Sequence, residues 1–253
     1  MILPTMSPKE IFDAIEMDSK KLVYRRDKIY PKVVHQFKKA RKFPTSYIDE
    51  YVIPSTNNKH ITYYNARNIN DVEHPGYMCF TEMFAGGDRY VLRASRMGYT
   101  HTPESKLVML PTIQFYTSHF FQRYNERFLH RNDITTNEIA GVYFLRNANI
   151  MPIKINEDIN RNFKEYDESN AGVKVPDGFC FVRRALQGVF CGEELSDKDK
   201  VDAMIMLYMT FMNDSAMSET QIEAIKKEFK EAINNNLSEL LKSGHNLIGK
   251  IIK

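Results

Sequence analysis

Tryptophan is absent from this 253-residue chain, and cysteine occurs only three times. No stretch approaches the roughly 20 consecutive apolar residues that a bilayer-spanning helix needs. The opening Met1-Ile2-Leu3-Pro4-Thr5-Met6-Ser7-Pro8 has no basic residues ahead of an apolar segment. It does not read as a signal peptide, so the expected location is cytoplasmic, with no membrane partner. Cys79, Cys180 and Cys191 form no C-x-x-C pair, which leaves a zinc ribbon or thioredoxin-like motif without support. Their aromatic neighbours suggest buried small hydrophobes instead. No Walker loop, G-x-G-x-x-G, H-E-x-x-H or G-x-S-x-G occurs. Nucleotide-dependent, zinc-peptidase and hydrolase mechanisms therefore lack positive signals, and no cofactor or metal is expected.

What is present is core material. Sixteen Phe and fourteen Tyr accompany a hydrophobic fraction of 43%, enough to argue against disorder over most of the length. The net charge of +3 is unevenly distributed. Ten basic residues lie between positions 20 and 42 with a single acid, Asp27, and the remainder of the chain is net negative. Such a local stripe attracts polyanions whatever the total charge.

Ser7-Pro8-Lys9-Glu10 predicts a capped first helix, with Pro31 expected to interrupt or restart it and Pro44 marking the exit. Residues 45–116 read mainly as antiparallel strand, with Gly86-Gly87 turning an aromatic hairpin. A helix is expected from Ser118 to about Phe128. A second should open at Thr135, with Glu138 completing a capping box. Asparagine-rich residues 147–175 read as a loop or linker. A short hairpin follows around 178–190. Two carboxyl-terminal helices are then expected, one from Ser196 carrying Met204, Tyr208 and Met212, the other from Ser218 carrying Ile225, Phe229 and Ile233. The expected architecture is α+β, because strands and helices come in blocks without regular alternation. Residues 1–150 would form the main unit, with 176–253 packed on it.

Two segments could carry chemistry. The basic stripe Lys20, Lys21, Arg25, Arg26, Lys28, Lys32, Lys38, Lys39, Arg41 and Lys42 has Tyr24, Tyr30 and Phe37 interleaved, which could stack on bases. RNA or DNA is the expected partner, unless the stripe is a solvated face balanced by acids elsewhere. The second segment starts at Thr117. His119, Arg123 and Arg127 recur every four residues and line one side of a helix whose free N–H groups favour anions. Arginine forks onto phosphate, and histidine can move protons near neutrality. Either arginine could instead pair with Glu126 or Glu138. A third use of the chain would be protein binding through the carboxyl-terminal helices.

The run Thr117, His119, Arg123, Arg127, followed by Ile134 and Glu138, resembles small bacterial toxin-like domains related to RelE. The likeness covers about residues 110–145. It implies a metal-independent ribonuclease in which His119, Arg123 and Arg127 are catalytic. Arg123 and His130, separated by six residues, also resemble the motif of helical HEPN ribonucleases.

Overall fold

The computed structural model describes residues 1–99, 108–148, 150–160, 171–186, 189–190 and 201–242, with side chains 189–190 and 235–242 excepted. Helix α1 (Pro8–Lys38) leads into strands β1 (Thr45–Val52), β2 (Lys59–Ala66), β3 (Gly76–Ala85), β4 (Asp88–Tyr99) and β5 (Val108–Thr117). Then come α2 (Ser118–Tyr124), α3 (Thr136–Arg146), β6 (Met151–Ile153), α4 (Glu157–Asn160), β7 (Ala171–Val175), β8 (Gly178–Leu186), β9 (Val189–Phe190), β10 (Met204–Met212) and α5 (Glu219–Lys242). Among the described residues the strands make one ten-stranded sheet, in the order β1-β2-β3-β4-β5-β10-β8-β7-β6, with β9 beside β8. Every pairing is antiparallel except that of β5 with β10. The fold is α+β, as the block arrangement predicts.

Strand alternation divides the core into two layers. Ile61, Tyr63, Phe80, Val91 and Tyr116 face α2 and α3, where Phe120, Phe121, Tyr124, Tyr143 and Phe144 fill the central cluster. Tyr116 stacks on Tyr208 of β10 with ring centroids 4.1 Å apart. On the opposite face Tyr64 and Ala66 pack with Val33 and Phe37 of α1, and Leu92 and Ile113 with Ile11 and Phe12. Farther along that face, Phe179 and Phe181 meet Ile225 of α5. Thus α1 and α5 cover one side of the sheet, and α2 and α3 the other. Close approach fixes α3: a Cβ on Gly141 would lie 2.1 Å from the Tyr63 ring. Both expected capping boxes form, Ser7 with Glu10 and Thr135 with Glu138. The β3–β4 turn places Gly86 and Gly87 at φ of 60° and 90°, the left-handed conformations that a two-residue hairpin turn requires.

Three expectations are corrected. Pro31 does not interrupt α1, which is helical through Lys38. Pro31 is on the exposed side of the helix, where a carbonyl left without its donor can be hydrated. The segment expected as a Met-rich helix is instead the strand β10, beside the middle of the sheet. Its side chains pack on both faces of the sheet, so the sequence reads as a continuous apolar run that helical spacing fits equally well. The helix start expected at Ser196 lies outside the described residues. Finally, residues 147–175 are not all loop. They contain β6, α4 and β7, and β7 pairs with β8 in the common sheet. The segment from 176 onward is therefore hydrogen-bonded into one sheet with the earlier strands. Cys180 is buried beside the Tyr143 hydroxyl at 3.3 Å, Cys79 is half-buried, and Cys191 lies outside the described residues.

Candidate nucleic-acid interface

Helix α1 buries Ile11, Phe12, Asp18, Ile29, Val33 and Phe37 along one side. Helical geometry then assigns the opposite side to Met17, Lys20, Lys21, Tyr24, Lys28, Lys32, His35 and Lys39, which recur every three or four residues save the adjacent Lys20 and Lys21. All are exposed, and Tyr24 is 74% exposed in the middle of the row. Arg41 and Lys42 continue the charge beyond the helix end and are also exposed. Lys20, Lys28, Lys39, Arg41 and Lys42 form no ion pair among the described residues.

The other members of the stripe have partners. Arg25 donates through Nε and Nη2 to the Asp49 carboxylate at 2.8 and 2.6 Å, and its guanidinium lies 4.9 Å from the Tyr51 ring centre. The Asp49 hydrogen bond raises its pKa further, so it stays charged. Arg26 bonds Asp27 and the Tyr77 hydroxyl, Lys38 pairs with Glu73 at 2.7 Å, and Lys21 donates to the Ser55 hydroxyl. Arg25 and Arg26 therefore dock α1 on the sheet, while the outer lysines face water. Of the interleaved aromatics, Tyr24 is free to stack. Phe37 is in the core, and the Tyr30 hydroxyl donates to the Glu73 carbonyl.

The second candidate divides. The Thr117 hydroxyl caps α2 by accepting from the Phe120 amide at 3.0 Å. Arg123 Nε donates to His119 Nε2 at 3.3 Å, and its Nη1 donates to Glu126 at 2.8 Å. Hydrogen bonds from Gln122 and then Arg123 hold the Glu126 carboxyl below the usual range. Arg127 is used elsewhere. The helix passes into a π turn at Asn125–Leu129, and Arg127 Nη1 donates to the Phe211 carbonyl of β10 at 2.6 Å. Asn213 in turn donates to the Arg127 carbonyl. The three residues expected to act together thus separate into an exposed His119–Arg123 pair and a structural Arg127. His130 follows the π turn in the left-handed conformation, φ 53°. This helix is on the opposite face of the sheet from α1, so its cations do not extend the stripe.

Sequence reasoning missed a cleft of about 750 Å³ between the start of β1, the end of β2 and α3. Arg67 just after β2, Arg131 in the loop before α3 and Arg146 at the end of α3 reach it from three separate segments. No sequence spacing links those positions, so only the fold could assemble them. Beside the cleft, Asp177 accepts from Arg146, Tyr124 and Asn147. Burial would raise its pKa, but these hydrogen bonds outweigh burial and hold it below the ordinary value. Among the described residues, no group of three or more His, Cys, Asp or Glu is placed to hold a metal, and no helix is long and apolar enough to cross a membrane. Comparison of the chain with family models, with curated proteins and with solved structures gives no match.

Proposed function

We propose that this protein binds single-stranded nucleic acid along the exposed ridge of α1 and the basic segment that follows it. The observation carrying this reading is Tyr24, 74% exposed among Lys20, Lys21 and Lys28 on one helix face. A largely exposed aromatic ring between Lys20 and Lys28, neither of which is in an ion pair among the described residues, is the arrangement that stacks a base while neutralising the adjoining phosphates. From Lys20 to Lys39 the row is about 28 Å long at a rise of about 1.5 Å per residue, long enough for several phosphates. Binding is the proposal rather than cleavage, because only two of the three residues proposed for catalysis stay together.

The test is fluorescence anisotropy with a labelled single-stranded RNA across a salt series. Log affinity should fall linearly with log salt, by about 0.7 per neutralised phosphate. The triple variant Lys20→Glu, Lys28→Glu, Lys39→Glu alters only exposed side chains and should melt like the parent. It should bind more weakly with a shallower salt slope. The same affinity and slope in the folded variant would remove the ridge as the binding surface.

A further inference from the structure

The 750 Å³ cleft has a composition unlike that of the ridge. Arg67 Nε is held by Asp71 at 3.2 Å, Arg131 by Asp133, and Arg146 by Asp177 at 2.7 and 2.8 Å. Each pairing leaves guanidinium N–H groups over, so the acids orient the forks without exhausting them. Asp71, Glu138 and Asp177 also line the cleft, balancing the three guanidiniums. Leu129, Ile134, Val142 and Leu145 supply apolar walls. Balanced charge gives a polyphosphate no advantage over a neutral ligand. Apolar walls with fixed donors and acceptors suit instead a flat, neutral, hydrogen-bonding ring.

Position supplies the rest. Pro44, Thr45 and Ser46 form part of the cleft wall, and the ridge ends at Arg41 and Lys42. Lys42 is two residues from Pro44, at most about 7 Å along the chain. The ridge lies on the α1 face of the sheet and the cleft on the α3 face, so a strand leaving the ridge at Arg41 and Lys42 reaches the cleft by turning round the edge strand β1. We propose that the cleft takes one unstacked nucleobase of the bound strand and reads its hydrogen-bonding edge. Single-stranded RNA is commonly recognised through such splayed bases, with hydrogen bonds to the base edge. This inference rests on the proposed role of the ridge but makes a separate claim, base preference, that the ridge alone cannot produce.

The experiment uses two probes. The four free ribonucleosides are titrated while backbone amide NMR shifts are followed, and four homopolymeric RNA oligomers are measured by anisotropy. At least one nucleoside should shift amides lining the cleft at 45–46, at 65, 67, 71, 74 or 76, or within 129–146. One homopolymer should bind at least about tenfold more tightly than another, the scale of one bidentate base contact. The double variant Arg67→Ala, Arg131→Ala removes two exposed side chains and should melt like the parent. It should level the homopolymer preference while keeping the salt slope, whereas Lys39→Glu, Arg41→Glu should do the reverse. Nucleosides that leave the cleft amides unmoved, with homopolymers bound equally, would overturn the cleft and leave the ridge standing. Nucleoside binding that survives while Lys39→Glu, Arg41→Glu leaves oligomer affinity unchanged would overturn the ridge and keep the cleft.

Discussion

His60 Nε2 lies 3.1 Å from Asp18 Oδ2, and both side chains are buried where α1 crosses β2. His60 Nδ1 lies 2.9 Å from the Thr81 hydroxyl, and Asp18 also accepts from Asn58 and Thr56. The arrangement has the order hydroxyl, imidazole, carboxylate, but Thr81 is only 2% exposed and no substrate can reach it. It is a buried fastening between α1 and the sheet.

Burial depresses the pKa of His60, against the opposing pull of Asp18. Burial also opposes the Asp18 charge, but hydrogen bonds from Asn58, His60 and Thr56 lower its pKa overall. A histidine depressed in the folded state contributes stability above its unfolded pKa of about 6.5, and that stability is lost as pH falls below it. Melting temperature should therefore drop between neutral pH and about pH 5, and less steeply in His60→Gln. The Asp18 contribution persists to lower pH and is lost progressively as pH falls through the ordinary carboxylate range toward its lower folded pKa. Asp18→Ala should cost about 1–3 kcal/mol for each neutral buried donor it leaves unsatisfied. Identical melting profiles for parent and His60→Gln across that range would contradict this account.

Arg127 and the His119–Arg123 pair should separate in assays as they do in space. Arg127→Ala removes a charged donor from the Phe211 carbonyl and should cost about 1–3 kcal/mol. His119→Ala and Arg123→Ala alter an exposed cluster and should each change stability by under about 0.5 kcal/mol. RNA incubated with the parent in EDTA should remain intact. Cleavage that falls by about 10²-fold or more in His119→Ala would establish general acid–base catalysis and displace the binding reading.

Tyr24→Ala isolates stacking from charge. With the ring 74% exposed, thermal stability should be unchanged. RNA affinity should fall by about 1–3 kcal/mol, the contribution of one stacked base, with the salt slope preserved. Equal affinity of variant and parent would limit the ridge to phosphate contacts.

Helix α5 offers a graded series on one face. Ile225 is 3% exposed, Phe229 is half-buried against the same cluster, and Ile233 is 39% exposed. Ile225→Ala should cost about 2–5 kcal/mol in urea melts, and Ile233→Ala under about 0.5 kcal/mol. A large penalty at Ile233 in the monomer would mean that this face is covered.

The sequence by itself determined the parts whose signals are local. Ser7 with Glu10 and Thr135 with Glu138 start helices because hydroxyl and carboxylate satisfy orphan amides three residues apart. Gly86-Gly87 turns a hairpin because both positions need positive φ. The basic stripe was legible because a helix places every third or fourth residue on one side. Tertiary structure decided the rest. Met204 to Met212 became a strand because it fits between β5 and β8, with Met204, Met206 and Tyr208 buried on one face and Ile205, Leu207 and Met209 half-buried on the other, and a run that is apolar on both faces carries no period that distinguishes strand from helix. It also divided the stripe, since only the fold brings Asp49 to Arg25 and Glu73 to Lys38 while leaving Lys20 and Lys28 unpaired. Likewise Arg67, Arg131 and Arg146 share a cleft because β2, the turn after α2 and the end of α3 meet there, a convergence of distant segments that no local pattern encodes.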